Sequence, residues 1–247
     1  HFIETAERQQ NTLLVNSTPL IVRSLQGLFP HSYHDVIPVA GLVAEYGAFV
    51  VRSDSPIGSW AEFMGAVRAN PAALNIGGGS VRGSLDHIVL ALALSGTGID
   101  PRQVRYLPYD AGGKAMLALL GGEADVLSTG VGEALGYAAS GDVRILAVTA
   151  AARLDAAPEV PTLTELGVAL EFANWRGVFA APGTPSDVLR QLASDLRTAA
   201  GTAAWQEALE RYGWTPLDLY GDDFQRYLDT QEAQLRDTLA ELGFIRR

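Results

Sequence analysis

The sequence predicts an α/β fold, and three observations lead to that prediction. From about residue 74 to residue 149, short apolar segments typical of strands alternate with segments typical of helices, and short links join them. Two of these links are rich in glycine and connect a predicted strand to a predicted helix: Ile76–Ser84 and Pro108–Lys114. The 247 residues are 48% hydrophobic and 19% charged, which is typical of a folded globular chain. The alternation favours a parallel sheet with crossover helices.

The first part of the chain predicts three strands, one helix and one helix start. Residues 12–16 form a short buried strand pattern that ends in the turn sequence Asn16-Ser17-Thr18-Pro19. The apolar runs at residues 36–43 and 48–51 are predicted as separate strands, because Glu45-Tyr46-Gly47 interrupts them. A helix is also expected over residues 3–9.

The middle of the chain carries the regular alternation. Ser59 is predicted to cap a helix that begins at Trp60 and stops before Pro71. The elements predicted after it are strands at residues 74–77, 104–107, 124–128 and 143–149, and helices at residues 84–95, 113–120 and 132–139.

The last part of the chain predicts one strand and three helices. The strand covers residues 171–181, and Ser186 is predicted to cap a helix through residue 199. Helices follow at residues 203–212, with Gly213 as the stop, and from residue 222 or 223 to 242. We therefore expect residues 53–172 to form one lobe, and residues 1–52 and 173–247 to form a split second lobe with hinges near residues 50–53 and 172–176.

The glycine-rich links predict an anion site. A helix start leaves backbone N–H groups without intrahelical partners and carries the positive end of the helix dipole. In open α/β sheets, ligands bind beyond the carboxyl ends of strands. The links at residues 77–84, 108–113 and 128–133 all follow strands, so we expect them to cluster and to hold an anionic small molecule without a metal or cofactor.

Composition excludes several classes of protein. The formal net charge of −10 argues against non-specific nucleic-acid binding. The chain has no cysteine, which excludes thiol catalysis and cysteine-based zinc sites. The sequence contains no run of about eighteen apolar residues, the length that a membrane-spanning helix needs. No signal peptide is expected in this sequence, and a mature secreted protein would have lost one.

Several side chains near the links could either contact a ligand or have only a structural role. Arg82 could pair with a ligand carboxylate in bidentate fashion, or it could be solvated. Ser80 and Ser84 offer hydroxyl donors, although Ser84 could act only as a helix cap. Tyr109 could donate to a carboxylate or pack as an amphipathic wall. Ser128, at a third strand end, could line the same site.

Nucleophilic catalysis and metal binding receive little support. Ser84, Asp86 and His87 lie within one helical turn, where they cannot form the line of nucleophile, base and orienting group that acyl transfer needs. A buried, hydrogen-bonded His87 is the better interpretation, and Lys114 is expected to face solvent. No histidines have a convincing metal-ligand spacing. Asp110 and Glu133 are the only candidates for an acid–base pair, although Asp110 could be a cap and Glu133 a helix N-terminal charge.

An ordered set of motifs along essentially the whole chain resembles the solute-binding proteins of tripartite tricarboxylate transporters, the Bug/TctC family. The motifs are Thr12–Asn16 with the following Ser-Thr-Pro turn, Leu74–Ser80 with His87, Tyr106–Tyr109 with the next Gly-Gly pair, Leu119–Val126, Val143–Thr149, Val160–Gly167 and Asn174–Gly177 leading to Ala181–Pro185.

The resemblance implies a two-lobe clamp of the type II periplasmic-binding-protein class, with a carboxylate held in a cleft between the lobes. We expect the family's opening strand and Pro/Gly-rich loop to be missing before His1. The implied partners are a small carboxylate, with a di- or tricarboxylate such as citrate favoured, and integral membrane transporter subunits. We expect a periplasmic monomer that is not an enzyme and uses no cofactor.

Candidate ligand contacts come from both predicted lobes. Arg176 is favoured as a side-chain counter-ion, although an inter-lobe salt bridge is its alternative. The full set is Ser17, Thr18, Gly79, Ser80, Arg82, Ser84, Tyr109, Ala111, Gly112, Ser128 and Arg176. The alternative function is an enzyme, such as a decarboxylase or hydrolase, that acts on a small carboxylate on a similar frame.

Overall fold

A computed structural model describes residues 2–5 and 12–245 of the protein. Residues 2–5 form turns, and the rest of the helix predicted over residues 3–9 lies outside the described residues. The chain divides into two compact units: Glu45–Ala173 forms one, here called the central unit, and the described residues of His1–Ala44 and Asn174–Arg247 form the other, here called the terminal unit. The first boundary between the units lies between residues 44 and 45. The sequence predicted this boundary between residues 52 and 53.

The central unit alternates strands and helices as the sequence predicts. In chain order it contains the second half of β2 (Ile37–Arg52), α2 (Trp60–Ala69), β3 (Asn75–Gly78), α3 (Leu85–Ser95), β4 (Arg105–Pro108), α4 (Gly112–Leu120), β5 (Val126–Gly130), α5 (Val131–Ala139) and β6 (Val143–Val148).

The sheet of the central unit is mixed rather than parallel. β3 pairs in parallel with both β4 and β5. β2 runs antiparallel to β5 and to β6. The predicted parallel pairing is confirmed for β3, β4 and β5. It is wrong for β2, which enters from the terminal unit and not through a crossover helix.

Apolar side chains from the helices and strands of the central unit pack into its core. Val50, Met116, Leu119, Leu127 and Val148 are all buried there. Burial of this kind supplies most of the stability that holds such helices against a sheet. The Ser59 side chain accepts a hydrogen bond from the backbone N–H of Glu62 at 3.2 Å, which confirms it as the cap of α2.

β2 is one continuous strand of 16 residues, not two. Gly47 explains why the pattern break does not end the strand. Its N–H donates to the Thr149 hydroxyl at 2.8 Å, and its carbonyl accepts from the Thr149 N–H at 2.9 Å. With its backbone groups satisfied by a neighbouring segment, the polar stretch at residues 45–47 remains extended.

The terminal unit has its own sheet and helices. It contains β1 (Leu14–Ser17), α1 (Pro19–Leu25), the first half of β2, most of β7 (Ala173–Ala180), α6 (Ser186–Ala200), α7 (Ala203–Tyr212), β8 (Thr215–Tyr220) and α8 (Asp222–Glu241). β1 pairs with β7, β7 neighbours β2, and β8 pairs with β2.

An aromatic cluster forms the core of the terminal unit. The rings of Trp175, Phe179 and Phe224 lie with centroids 5.6–5.8 Å apart. A Cβ on Gly41 would lie 2.6 Å from the Phe224 ring, so the absence of a side chain there admits the ring. Trp175 is fully buried, and its indole N–H donates to Gln231 of α8.

Two local predictions in the terminal unit were wrong. β8 was not predicted, since Pro216 and Asp218 make residues 215–220 look like a loop, and Asp218 indeed has a φ of 49°. Ser186 is the first residue of α6 rather than its cap, a position held by Pro185 without a side-chain hydrogen bond. Gly213, by contrast, adopts the left-handed conformation expected of a helix stop, with a φ of 62°.

Candidate functional site

The three strand-to-helix links of the central unit lie together, as predicted. A Cβ on Gly79, in the link before α3, would lie 2.5 Å from Cα of Gly112 and 2.7 Å from the carbonyl carbon of Ala111. The Tyr109 N–H donates to the Gly78 carbonyl at 2.9 Å, which fixes the register of the two links. The third link joins this cluster through the Ser128 hydroxyl, which donates to the Asp86 carbonyl at 2.9 Å.

The link before α3 is held by hydrogen bonds at both ends. The Ser80 hydroxyl accepts from the Asp86 N–H at 3.1 Å, and the Ser80 carbonyl accepts from the Tyr106 hydroxyl at 2.8 Å. Gly83 is the one residue of this link with a positive φ, at 76°. Gly79 is therefore needed for close packing of the backbone rather than for a left-handed conformation.

Asp86 is a half-buried carboxyl in the first turn of α3. Burial, followed by the negative charges of Glu133 and Glu45, raises its pKa to about 7. Hydrogen bonds from the Ser80 hydroxyl and the Gly79 N–H oppose that shift. The sequence does not reveal this raised pKa, because it depends on burial and on charges from other elements of the fold.

His87 is buried and hydrogen-bonded, as predicted. Its Nδ1 accepts from the Gly83 N–H at 3.0 Å, and its ring lies 4.5 Å from the ring of Tyr106. Burial, with a smaller contribution from the Arg82 charge, lowers its pKa to about 4. An acceptor Nδ1 means that the neutral ring carries its proton on Nε2.

Arg82 and Ser84 occupy the surface of the same link. The Arg82 guanidinium donates from Nη2 to the Tyr106 carbonyl at 2.6 Å, and its Cζ lies 6.0 Å from the centre of the Tyr106 ring. Ser84 is the N-cap residue of α3, although its side chain makes no capping hydrogen bond. The Ser84 hydroxyl thus remains a candidate donor to a ligand.

The first two residues of α4 are both glycine, Gly112 and Gly113. Ala111 is the N-cap and Gly112 is the first helical residue. The position that a Cβ on Gly112 would take is filled by the carboxylate of Glu133, which extends from the first turn of α5. The Thr129 hydroxyl donates to that carboxylate. The sequence suggested Glu133 as a charge for its own helix, whereas the structure places it over the neighbouring one.

Tyr109 and Glu45 complete the surroundings of these links. The half-buried Tyr109 packs on the core of the central unit, with Cε2 3.2 Å from the place of a Cβ on Gly77. Burial raises the pKa of its hydroxyl. The Glu45 carboxylate lies 2.8 Å from the place of a Cβ on Gly130, the N-cap of α5. Sequence reasoning missed Glu45, although an acid within an apolar strand pattern was a signal for it, whereas Thr129 lies in the third predicted link.

The two candidates for an acid–base pair have separate partners. Asp110 is exposed and forms an ion pair with Lys114 at 2.7 Å, which lowers the pKa of the Asp110 carboxyl. Glu133 accepts from Thr129. Lys114 is exposed, as the sequence predicted.

Three candidate residues lie together in the terminal unit. Ser17 is directly opposite Arg176 in the antiparallel ladder of β1 and β7. Arg176 Nη1 lies 3.3 Å from the Trp175 carbonyl oxygen, and the guanidinium carbon lies 5.9 Å from the centre of the Trp214 ring. Thr18 is fully buried, and its hydroxyl donates to Gln231 at 3.4 Å. Ser17 and Arg176 are therefore the more accessible members of this group.

Metal and membrane features were sought over the described residues. Within residues 2–5 and 12–245, no three His, Asp or Glu side chains are grouped as a metal site would require. Over the same ranges, every helix is too short or too polar to cross a bilayer.

Comparison with known proteins places this fold in a family. The family model described as "Tripartite tricarboxylate transporter family receptor" matches residues 11–244. A UPF0065 protein from Bordetella pertussis is 27% identical over 222 residues, which are 87% of this chain and 68% of that protein. A UPF0065 protein from a Pseudomonas strain is 29% identical over 215 residues, which are 85% of this chain but only 63% of that protein.

Solved structures agree with that placement. A TctC solute-binding protein from Polaromonas, solved without ligand, superposes with a TM-score of 0.86 at 24% identity, over 97% of this chain and 82% of that one. MatC from Rhodopseudomonas palustris, solved with bound malate, gives a TM-score of 0.75 at 22% identity, over 96% and 82%. The α/β fold is that of periplasmic solute-binding proteins, and the chain belongs to the TctC family of tripartite tricarboxylate transporter receptors.

Proposed function

We propose that this protein captures a small carboxylate in the periplasm and delivers it to the membrane subunits of a tripartite tricarboxylate-type transporter. One observation carries the proposal: the links before α3 and α4 pack backbone against backbone, at Gly79 and Gly112. The Asp86 N–H donates to the Ser80 hydroxyl, so the first turn of α3 also lies near this contact. Each helix start favours a negative charge.

Backbone groups, rather than a lysine or a metal, supply the proposed grip in the central unit. The first turn of α4 has its N–H groups ahead of the helical ladder, which begins with the Lys114 and Ala115 N–H groups donating to the Ala111 carbonyl at 3.1 Å. The N–H groups of Gly112 and Gly113 precede this ladder, and they are the donors that we propose for a ligand carboxylate. Ser80 and Ser84 would add hydroxyl groups, and Tyr109 and Ser128 remain candidates at the edge of the site.

The terminal unit would contribute the side-chain counter-ion. Arg176 and Ser17 are directly opposite each other in the ladder of β1 and β7, so their side chains leave the sheet on the same face. Arginine pairs with carboxylates through two parallel hydrogen bonds, which suits a ligand with a carboxylate at this end. Thr18 remains a candidate through its position beside Ser17.

Di- and tricarboxylates are the first ligands to test, citrate among them. The malate bound to MatC supports a dicarboxylate as a starting point. The links have no credible nucleophile, since Ser84 lies within one helical turn of Asp86 and His87, where the three cannot form the line of nucleophile, base and orienting group that acyl transfer needs. We therefore propose binding without turnover.

Calorimetric titration tests the proposal. The purified protein is titrated with citrate, malate, adipate and amino acids, and each ligand is then recovered and examined by proton NMR. We expect saturable binding of at least one carboxylate and its recovery unchanged. Conversion of the ligand that is lost in a Glu133→Gln or Asp110→Asn variant would instead support the enzyme alternative, and a lack of binding across the carboxylates would contradict the proposal.

A further inference from the structure

Asn174, near the start of β7, has a buried side-chain oxygen without a hydrogen-bond partner. Its Oδ1 receives no hydrogen bond from the described residues, although the residue as a whole is only half-buried. Nearly all buried acceptors in folded proteins are paired with a donor, so an exception calls for a physical explanation. The neighbouring groups show which kind of donor would suit this oxygen.

The side chains nearest to Asn174 in the sheet are polar and share one face of the terminal unit. Asn174 and Arg176 are two residues apart in β7, so their side chains leave the strand on the same face. Ser17 is directly opposite Arg176 in the ladder with β1, so its side chain leaves on that face as well. Trp175, which lies between them in sequence, is buried against Gln231 of α8. An amide, a guanidinium and a hydroxyl thus belong to one face of the sheet.

The guanidinium of Arg176 lies close to the backbone of Asn174. Its Nη1 is 3.4 Å from the Asn174 carbonyl oxygen and 3.3 Å from the Trp175 carbonyl oxygen. The centre of the Trp214 ring is 5.9 Å from the guanidinium carbon, which adds a cation–π contact. These contacts hold the charged group along the strand rather than extended away from it. A ligand carboxylate that pairs with Arg176 is therefore expected next to Asn174.

We infer that Asn174 is a specificity-determining residue, which accepts a hydrogen bond from a donor on the carbon next to the carboxylate that Arg176 binds. The donor is a hydroxyl or an ammonium group, so the inference, which rests on the proposed function, narrows the ligand class to 2-hydroxy and 2-amino acids. Rotation about two side-chain bonds presents Oδ1 to the ligand, and this oxygen gives up no hydrogen bond when it turns. A ligand without the donor leaves the oxygen unpaired and binds more weakly.

The test compares pairs of acids that differ only in this donor. Citrate is paired with propane-1,2,3-tricarboxylate, which lacks the hydroxyl, and each enantiomer of malate and of aspartate is paired with succinate. Dissociation constants are measured by calorimetry for wild type, Asn174→Ala and Asn174→Leu, of which the leucine variant keeps the side chain's size without a polar atom. Gln191→Ala is the control, since it removes an exposed side-chain amide from α6 of the same unit.

In wild type, we expect the acid with the donor to bind about tenfold more tightly than its partner in at least one pair, a difference of about 1.4 kcal/mol. Either Asn174 variant should bring this ratio close to one, chiefly by weakening binding of the acid with the donor, and Gln191→Ala should leave it unchanged. Equal binding within every pair in wild type, or a ratio that survives in the Asn174 variants, would overturn the inference. If no acid binds to any of these proteins, the proposed function itself fails, which is a distinct result.

Discussion

Gly79 and Gly112 are in backbone contact, although they are far apart in sequence. A Cβ on Gly79 would lie 2.5 Å from Cα of Gly112, closer than real Cβ atoms approach other heavy atoms. Because the neighbour is backbone rather than a flexible side chain, it cannot move away without shifting the start of α4. A side chain at Gly79 would therefore change the positions of both links.

Gly79→Ala should lower both stability and ligand affinity. The methyl group forces the two links apart, and overpacking of this kind costs roughly 1–3 kcal/mol. Gly65→Ala is the matched control, since no heavy atom lies within 4 Å of its added Cβ and it lies inside α2, which is not part of the three links. Thermal unfolding and calorimetry would measure both effects, and a Gly79→Ala protein with wild-type stability and affinity would contradict the tight packing described here.

The raised pKa of Asp86 predicts a loss of stability as pH rises. Its pKa is 3.8 in the unfolded reference and about 7 in the folded protein. The folded state therefore holds the proton more tightly, so its contribution is fully present below pH 3.8 and is lost as pH rises toward 7. Urea unfolding measures the free energy of unfolding of wild type and Asp86→Asn across this pH range. As pH increases, we expect the free energy of unfolding of wild type to fall relative to that of the variant. A difference that does not depend on pH would contradict the raised pKa.

The lowered pKa of His87 predicts that stability changes with pH in the opposite direction. Its pKa falls from 6.5 to about 4 on folding, so the unfolded state binds the proton more tightly. Its contribution to stability is present above pH 6.5 and is lost as pH falls toward 4. Nitrogen NMR of the imidazole should show a neutral ring, protonated on Nε2, at pH 6 in the folded protein. A ring that is mostly charged at pH 6 would contradict the buried acceptor role of Nδ1.

Arg176→Ala should weaken binding of carboxylates. Loss of a guanidinium that pairs with a charged group in a desolvated site costs roughly 2–5 kcal/mol, so affinity should fall by about thirtyfold or more. The fall should be larger for a tricarboxylate than for a monocarboxylate if Arg176 contacts the ligand. Arg190→Ala, which removes an exposed arginine from α6, is the control. An equal loss for both ligands, or no loss, would count against direct contact.

The strands and helices of the central unit were predictable because the hydrophobic pattern and the turn residues agree there. Ser59, Gly213 and the clustering of the three links all follow from local chemistry that the sequence displays. β8 was missed because Pro216 and Asp218 are poor strand residues, and pairing with β2 outweighs their preference. The continuity of β2 was missed because Thr149, which satisfies Gly47, is distant in sequence.

The candidate site was predictable at the level of its backbone but not of its charges. Gly79, Ala111 and Gly112 are visible as glycine-rich helix starts. The position of Glu133 depends on how α5 packs beside α4, which no spacing along the chain reveals. The raised pKa of Asp86 likewise depends on burial and on two carboxyls from other elements.

Native mass spectrometry of the freshly purified protein tests the central claim most directly. The protein is measured as purified and again after incubation with the carboxylate panel, and any bound molecule is released by acid and identified by its fragmentation. We expect one small molecule per chain, carrying at least one carboxylate and chemically unchanged by the protein. A bound molecule without a carboxylate, or a protein that remains without adduct after incubation with every carboxylate, would contradict the account.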